Sequence, residues 1–223
     1  MLDISPFLLT LKLAIITTLI LFIISIPIAY WLAHSKSKIK PFIEAIVSLP
    51  LVLPPTVLGF YLLVLFSPNN GFGSFIYEVF ELKLIFSFTG LVIGSVIYSL
   101  PFMVHPLQTG FASLPKFIIE ASYMLGKSKF ETLIRIQLPN IKQSILTGVV
   151  LTFAHTVGEF GVVLMIGGNI PKQTKVISIA IYDEVEALNY SNAHIYSSVL
   201  ISITFLILLI VYWRKHKGSK VLL

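Results

Sequence analysis

The chain has no cysteine among its 223 residues. Disulfides, thiolate zinc sites and cysteine nucleophiles are therefore excluded. Charge is scarce as well: 12% of the residues are charged, where a soluble domain carries about 25%. Three nucleotide and hydrolase signatures are missing. There is no G-x-x-x-x-G-K-[ST] to cradle ATP phosphates, no G-x-S-x-G and no H-E-x-x-H. The histidines are scattered: His34 and His216 read as loop residues and His194 as interfacial. No catalytic residue, metal site or resident cofactor is expected. Internal repeats and low-complexity linkers are absent too, so one domain over residues 1–223 is the expectation.

What the chain has in abundance is apolar surface: 56% of it is hydrophobic and its mean hydropathy is +0.92. Five stretches, about 13–33, 45–66, 86–107, 145–166 and 195–213, come near the ~20 residues that cross a hydrocarbon core. The first has no charged residue, is too long for a signal-peptide core and lacks a basic run before it, so it reads as a retained helix, with Pro27 able to kink it. The second carries Pro50, Pro54 and Pro55 in its first half, so that half must be irregular or kinked. Irregular backbone survives at membrane depth only where protein or a wet cavity covers it. A plain kink and a functional break both fit. Beyond it, Asn69-Asn70-Gly71 has turn chemistry, and an amphipathic piece near 75–84 suits the membrane interface. The third span carries Pro101, His105 and Pro106 late in its course. A polar region, 167–192, holds Asp183, Glu184 and Glu186 between the fourth and fifth spans. The expected fold class is an all-α polytopic membrane protein with five transmembrane helices.

A net charge of +6 would suit nucleic acid. The basic residues flank apolar spans, however, where they set topology. Twelve of them fall in loops on one side: Lys36, Lys38 and Lys40; then Lys116, Lys127, Lys129, Arg135 and Lys142; then Arg214, Lys215, Lys217 and Lys220. The opposite loops hold three, Lys83, Lys172 and Lys175, with Lys12 near the outer end of the first span. The rich side is expected in the cytoplasm, with the N-terminus outside and the C-terminus inside.

The largest polar excursion with helical character lies in the loop over 108–142. Pro115 suits a first helical turn, and Phe117, Ala121, Met124 and Leu125 recur at helical spacing on one face. Gly126 can take the left-handed conformation that ends a helix, and Ser128 with Glu131 has the spacing of a capping box that opens the next. Pro139 is expected to close it. The pattern draws a helix–glycine–helix elbow outside the bilayer. Two readings stand: a linker that returns the chain to the membrane, or a docking element.

Within the fourth span His155 and Glu159 are four residues apart and share a helix face. Ionisable residues at membrane depth are expensive and face the bundle interior or a wet path. A metal site would need more ligands than these two. A hydrogen-bond pair between helices and a role at a translocation path remain.

The spacing within the elbow resembles a known family. Glu120-Ala121-Ser122, Gly126 six residues after the glutamate, Ile136 ten after the glycine, and Leu138-Pro139 resemble the cytoplasmic EAA loop of bacterial ABC-importer permeases. The usual third residue is Ala, and here it is Ser122. Leu49 to Gly59 (LPLVLPPTVLG), Gly158-Glu159-Phe160-Gly161, Gly168-Asn169-Ile170-Pro171 and Ile181-Tyr182 resemble the permease subunit of molybdate ABC importers. Sulfate and tungstate permeases share much of this pattern. The resemblance implies a type I importer (MetI-like) permease in the cytoplasmic (inner) membrane of a bacterium or archaeon. It implies a homodimer in membrane lipid, two cytoplasmic ATPase subunits that bind the ATP, and an extracytoplasmic oxyanion-binding protein. No nucleic acid is implied. The elbow residues Glu120, Ala121, Ser122, Gly126, Ile136, Leu138 and Pro139 would couple to the ATPase. Pro54, Pro55, His155, Gly158, Glu159 and Gly161 are candidates for the path or its gate. A membrane enzyme would need a polar catalytic cluster facing one leaflet, and a channel would need no coupling elbow.

Overall fold

The computed structural model describes residues 3–219, with side chains as far as Trp213. Among the described residues all regular structure is helical. In chain order the helices are α1 (Ser5–His34), α2 (Lys40–Val52), α3 (Pro55–Phe66), α4 (Gly71–Phe80), α5 (Phe88–Ala112), α6 (Lys116–Met124), α7 (Lys129–Thr132), α8 (Leu138–Asn140), α9 (Lys142–Val157), α10 (Gly161–Gly167), α11 (Ile177–Glu186) and α12 (Tyr190–Ser219). A π turn, Leu133–Gln137, joins α7 to α8.

Three helices, α1, α5 and α12, are each long and apolar enough to cross a membrane. Two further crossings require a bent pair each: α2 with α3, meeting at 113°, and α9 with α10, meeting at 57°. The expected spans over 45–66 and 145–166 are therefore not single rods. The first break has a local cause. Leu53 precedes Pro54 and Pro54 precedes Pro55, and a proline pushes the residue before it out of the α region. Both residues are extended, with ψ of 136° and 135°. Pro50 sits inside α2 without breaking it. At 1.5 Å per residue, α2 and α3 are each roughly 20 Å long, short of the ~30 Å hydrocarbon core.

The centre of the molecule is the packing of α1 against α5 and α9. Leu21, Leu32, Met103, Leu107 and Phe111 are fully buried there. Small residues let the backbones close in: a Cβ on Gly110 would stand 2.7 Å from the Cβ of Ser144, and one on Gly148 would stand 3.0 Å from Met103 Sδ. Close approach of this kind replaces the hydrophobic drive that is missing between helices in lipid. α10 packs on α3 and α5, and α11 packs on α12. The polar region over 167–192 thus contains a helix not expected from its composition. α11 buries Ile177, Ile179 and Ala180, and the Ile177 amide donates to Thr10 Oγ1 of α1 at 2.8 Å. α2 is fastened to α5 by polar contacts: Gln108 Nε2 donates to Glu44 Oε1 at 2.6 Å, and Ser48 Oγ lies 3.1 Å from His105 Nε2. Of the cytoplasmic cations expected at the C-terminus, the side chains of Arg214, Lys215 and Lys217, and Lys220 as a whole, lie outside the described residues.

Candidate functional site: the elbow and the broken spans

The elbow has the expected local chemistry. α6 starts after Pro115, and Gly126 turns the chain at φ +75° with no atom near the place a Cβ would occupy. The Glu131 amide donates to Ser128 Oγ at 3.1 Å, which is half of a capping box. The other half is not made. The Glu131 carboxylate instead accepts from Lys127 Nζ at 3.2 Å and lies 3.5 Å from Arg135. The Lys127 hydrogen bond, with its charge, holds this carboxyl below the usual carboxylate range. Ser122 is buried, and its hydroxyl meets that of Thr132 at 2.8 Å. A serine at the third motif position therefore ties the two arms together, which alanine could not do.

Pro139 does not close the second arm. The helix runs past it to Asn140 and turns at Ile141. A proline inside a regular α-helix clashes with the carbonyl four residues back. The π turn just before it shifts the register, with the Leu138 amide donating to Leu133 O, and Pro139 enters without that clash. Ile136 and Leu138 are half-buried, Leu138 against the main core, and Pro139 is exposed. Glu120 and Ala121 face outward. Phe117, Met124 and Leu125 are 68%, 89% and 80% exposed, and Phe130 is 73% exposed. The elbow thus presents an apolar face that nothing among the described residues covers.

The second group of candidates converges on the two breaks. Pro55, His155, Gly158, Glu159 and Gly161 line one cleft of about 420 Å³. Pro54 is exposed beside it. A Cβ on Gly161 would lie 2.8 Å from Pro55 Cβ, so the break between α9 and α10 is pressed on the break between α2 and α3. Glu159 is not in a helix, as its spacing from His155 predicted; it occupies the break itself. It is 4% exposed and accepts from Ser95 Oγ at 2.7 Å through Oε2, while Oε1 has no partner among the described residues. Its backbone carbonyl accepts from Ser178 Oγ of α11 at 2.6 Å. His155 does not pair with Glu159 either. Its Nδ1 lies 2.9 Å from Ser99 Oγ. Ser95 and Ser99 are one turn apart on α5 and meet Glu159 and His155 in antiparallel order.

Proton counting fixes the direction of the Ser99 chain. Thr156 Oγ1 donates to Thr152 O at 2.9 Å and lies 3.1 Å from Ser99 Oγ. One hydroxyl has one proton. Ser99 must then donate to Thr156 and accept from His155 Nδ1–H. The cleft also recruits Thr56, Tyr98 and Phe160, and Phe102 stacks on the imidazole at 4.0 Å. Sequence reasoning missed Ser95, Ser99, Tyr98 and Phe102. The spacing of the two serines, equal to that of His155 and Glu159, was the signal available. Among the described residues no group of three His, Asp or Glu could hold a metal ion.

Comparison with known proteins places this geometry. Residues 22–215 match the family described as binding-protein-dependent transport system inner membrane component. A molybdenum transport system permease of Azotobacter vinelandii, ModB, is 45% identical over 94% of this chain and 93% of its own length. A probable sulfate transport system permease of Prototheca wickerhamii is 32% identical over 91% of this chain and 79% of its own. Among solved structures, a chain of a bacterial ABC transporter involved in import of the acidic polysaccharide alginate superposes with a TM-score of 0.75, covering 99% of this chain and 80% of that one at 19% identity. That last likeness speaks for the fold alone. The chain belongs to the binding-protein-dependent transport system inner membrane components, and it is a multi-pass permease subunit of an ABC transporter.

Proposed function

We propose that the chain moves molybdate, or a related tetrahedral oxyanion such as tungstate or sulfate, across the inner membrane as the permease of an importer. It works as a homodimer and binds no cofactor; ATP is bound and hydrolysed by two separate subunits on the cytoplasmic side. An extracytoplasmic binding protein delivers the anion. The elbow carries this reading. A short helix with an uncovered face of Phe117, Met124 and Leu125, held by the Ser122–Thr132 contact, has the form of an amphipathic helix that docks in a partner's groove. Glu120 stands beside that face to meet a cation on the ATPase. Molybdate is favoured over sulfate by the higher identity to the molybdenum permease.

Glu120→Lys and Gly126→Val should leave the permease inserted, weaken its retention of the ATPase in detergent and abolish ATP-driven molybdate uptake in vesicles. Full association with full uptake in both variants would reduce the elbow to a linker. Competition by tungstate and sulfate ranks the substrates. Orientation is tested by reporters at Asn70 and Lys129. Each bent pair taken as one crossing puts Asn70 outside and Lys129 inside. A re-entrant α2–α3 pair would reverse both readings, because Asn70 would stay on the side of the α1–α2 loop and α5 still crosses between the two sites.

A further inference from the structure

The cleft at the breaks is one of two in line. A second, of about 490 Å³, is lined by Phe102, His105 and Thr109 of α5 and by Gln143, Ser144 and Thr147 of α9. With Tyr98 in the first cleft, the α5 positions run 98, 102, 105 and 109; on α9 the stripe runs 143, 147, 151 and 155. Each series advances by three or four residues, so each is one face of its helix. The two clefts therefore lie along a single trough between α5 and α9, one at the elbow end and one at the breaks. Phe102 lines the elbow-side cleft and His155 the other. Their rings stack at 4.0 Å, and Tyr98 flanks the imidazole at 4.6 Å. The stack is what separates the clefts.

Resting on the permease reading, we propose that Phe102 and His155 form the barrier of the anion path. The elbow-side cleft is the part already open towards the ATPase, and a second copy of the chain covers the open flank of both. The imidazole is held from behind by the Ser99–Thr156–Thr152 chain, so it presents a fixed face to Phe102. The polar groups of both clefts are hydroxyls, amides and imidazoles, with Glu159 the one acidic side chain among the lining residues. A path without lysine or arginine holds an anion weakly, which suits conduction, where what binds must also leave. At about 30 Å³ per liquid water, each cleft has room for a small hydrated oxyanion.

The absence of cysteine makes the barrier measurable. Single cysteines at Thr109 and Thr56 mark the two clefts. In the assembled permease–ATPase complex without nucleotide, in vesicles exposing the elbow, a membrane-impermeant maleimide should label T109C readily. It should label T56C about tenfold more slowly, the scale of one aromatic pair. Adding Phe102→Ala should bring the T56C rate up to that of T109C, and His155→Ala should do the same. Phe102→Tyr, which keeps the stack, should restore the difference. Equal labelling of the two sites with Phe102 in place would overturn the proposal. So would a T56C rate unmoved by F102A and H155A while T109C still labels normally. Labelling needs no uptake, so an importer that fails to carry oxyanions but keeps the difference sinks the function and leaves the barrier.

Discussion

The elbow and the α9–α10 break are the same device in two solvents. Each interrupts a helix, and each pins the interruption with a serine: Ser122 to Thr132 in one, Ser95 to Glu159 in the other. In the elbow the glycine has open space around it and is there for its φ of +75°. At the membrane break Gly161 has an ordinary φ and is there because Pro55 leaves no room for a side chain. Loose backbone in water needs only a cap, because water satisfies what the protein does not. Loose backbone in the membrane needs protein around it, because lipid satisfies nothing. The elbow can therefore turn its apolar residues outward, while the break turns its polar residues inward.

Paired substitutions test this contrast. The largest effect is expected from Gly161→Val, which forces a side chain against Pro55 and should lower stability by about 3 kcal/mol, the upper range for overpacking. Thermal unfolding in detergent measures it. An unchanged midpoint would show that the two breaks are not pressed together. Next comes Ser95→Ala, which leaves the buried Glu159 carboxyl with no donor and should cost about 2 kcal/mol. The companion Ser122→Ala removes a contact between two neutral hydroxyls rather than a carboxyl's donor and should cost about half as much, since the typical net value of a hydrogen bond is ~1 kcal/mol. Equal losses would erase the difference between the two pins. Gly126→Ala should cost about 1 kcal/mol through backbone strain alone, with no loss of packing.

The smallest effect is one of pH. The Glu131 carboxyl is held below its ordinary value of 4.5 by Lys127. A lowered acid contributes its full stabilisation above that ordinary value and loses it as pH falls through the folded one. Protection factors for hydrogen exchange over residues 129–132, referred to the unfolded-chain rate at each pH, should therefore fall on acidification below 4.5, and Glu131→Gln should remove that dependence. Protection that falls equally in the variant would assign the effect elsewhere.

Legibility in the sequence followed the range of the cause. The elbow's turn and cap were readable because Gly126, Ser128 and Glu131 act within one turn of one another. Pro54-Pro55 marked a break, yet its angle of 113° depends on α3 packing against α10, about a hundred residues on. Pro139 misled for a related reason: the π turn that admits it has no local signature, and Gln137 inside that turn is fully buried. α11 escaped notice because ten residues between polar flanks make a short apolar run, whose burial is decided by α1 and α12. Ser95 and Ser99 are unremarked serines in an apolar helix until their partners, about sixty residues later, are set beside them.

The packing of α1 has a consequence for synthesis. Its chief partners are α5 and α9, and the first of these begins at Phe88, 54 residues after α1 ends at His34. At the ribosome's pace of roughly 5–20 residues per second, α1 waits about 3–10 s in the bilayer before a partner emerges. Thr10, Thr17, Thr18 and Ser25, all buried in the finished protein, face lipid in that interval. The helix has a way to wait. Thr10 donates to the carbonyl of Pro6, one turn back, at 2.8 Å, and the same back-bond is open to the other three. A nascent α1 can thus stay apolar to lipid until its partners arrive; Thr10 then keeps its back-bond and also accepts from the Ile177 amide, while the hydroxyls of Thr17, Thr18 and Ser25 have no partner outside the helix among the described residues.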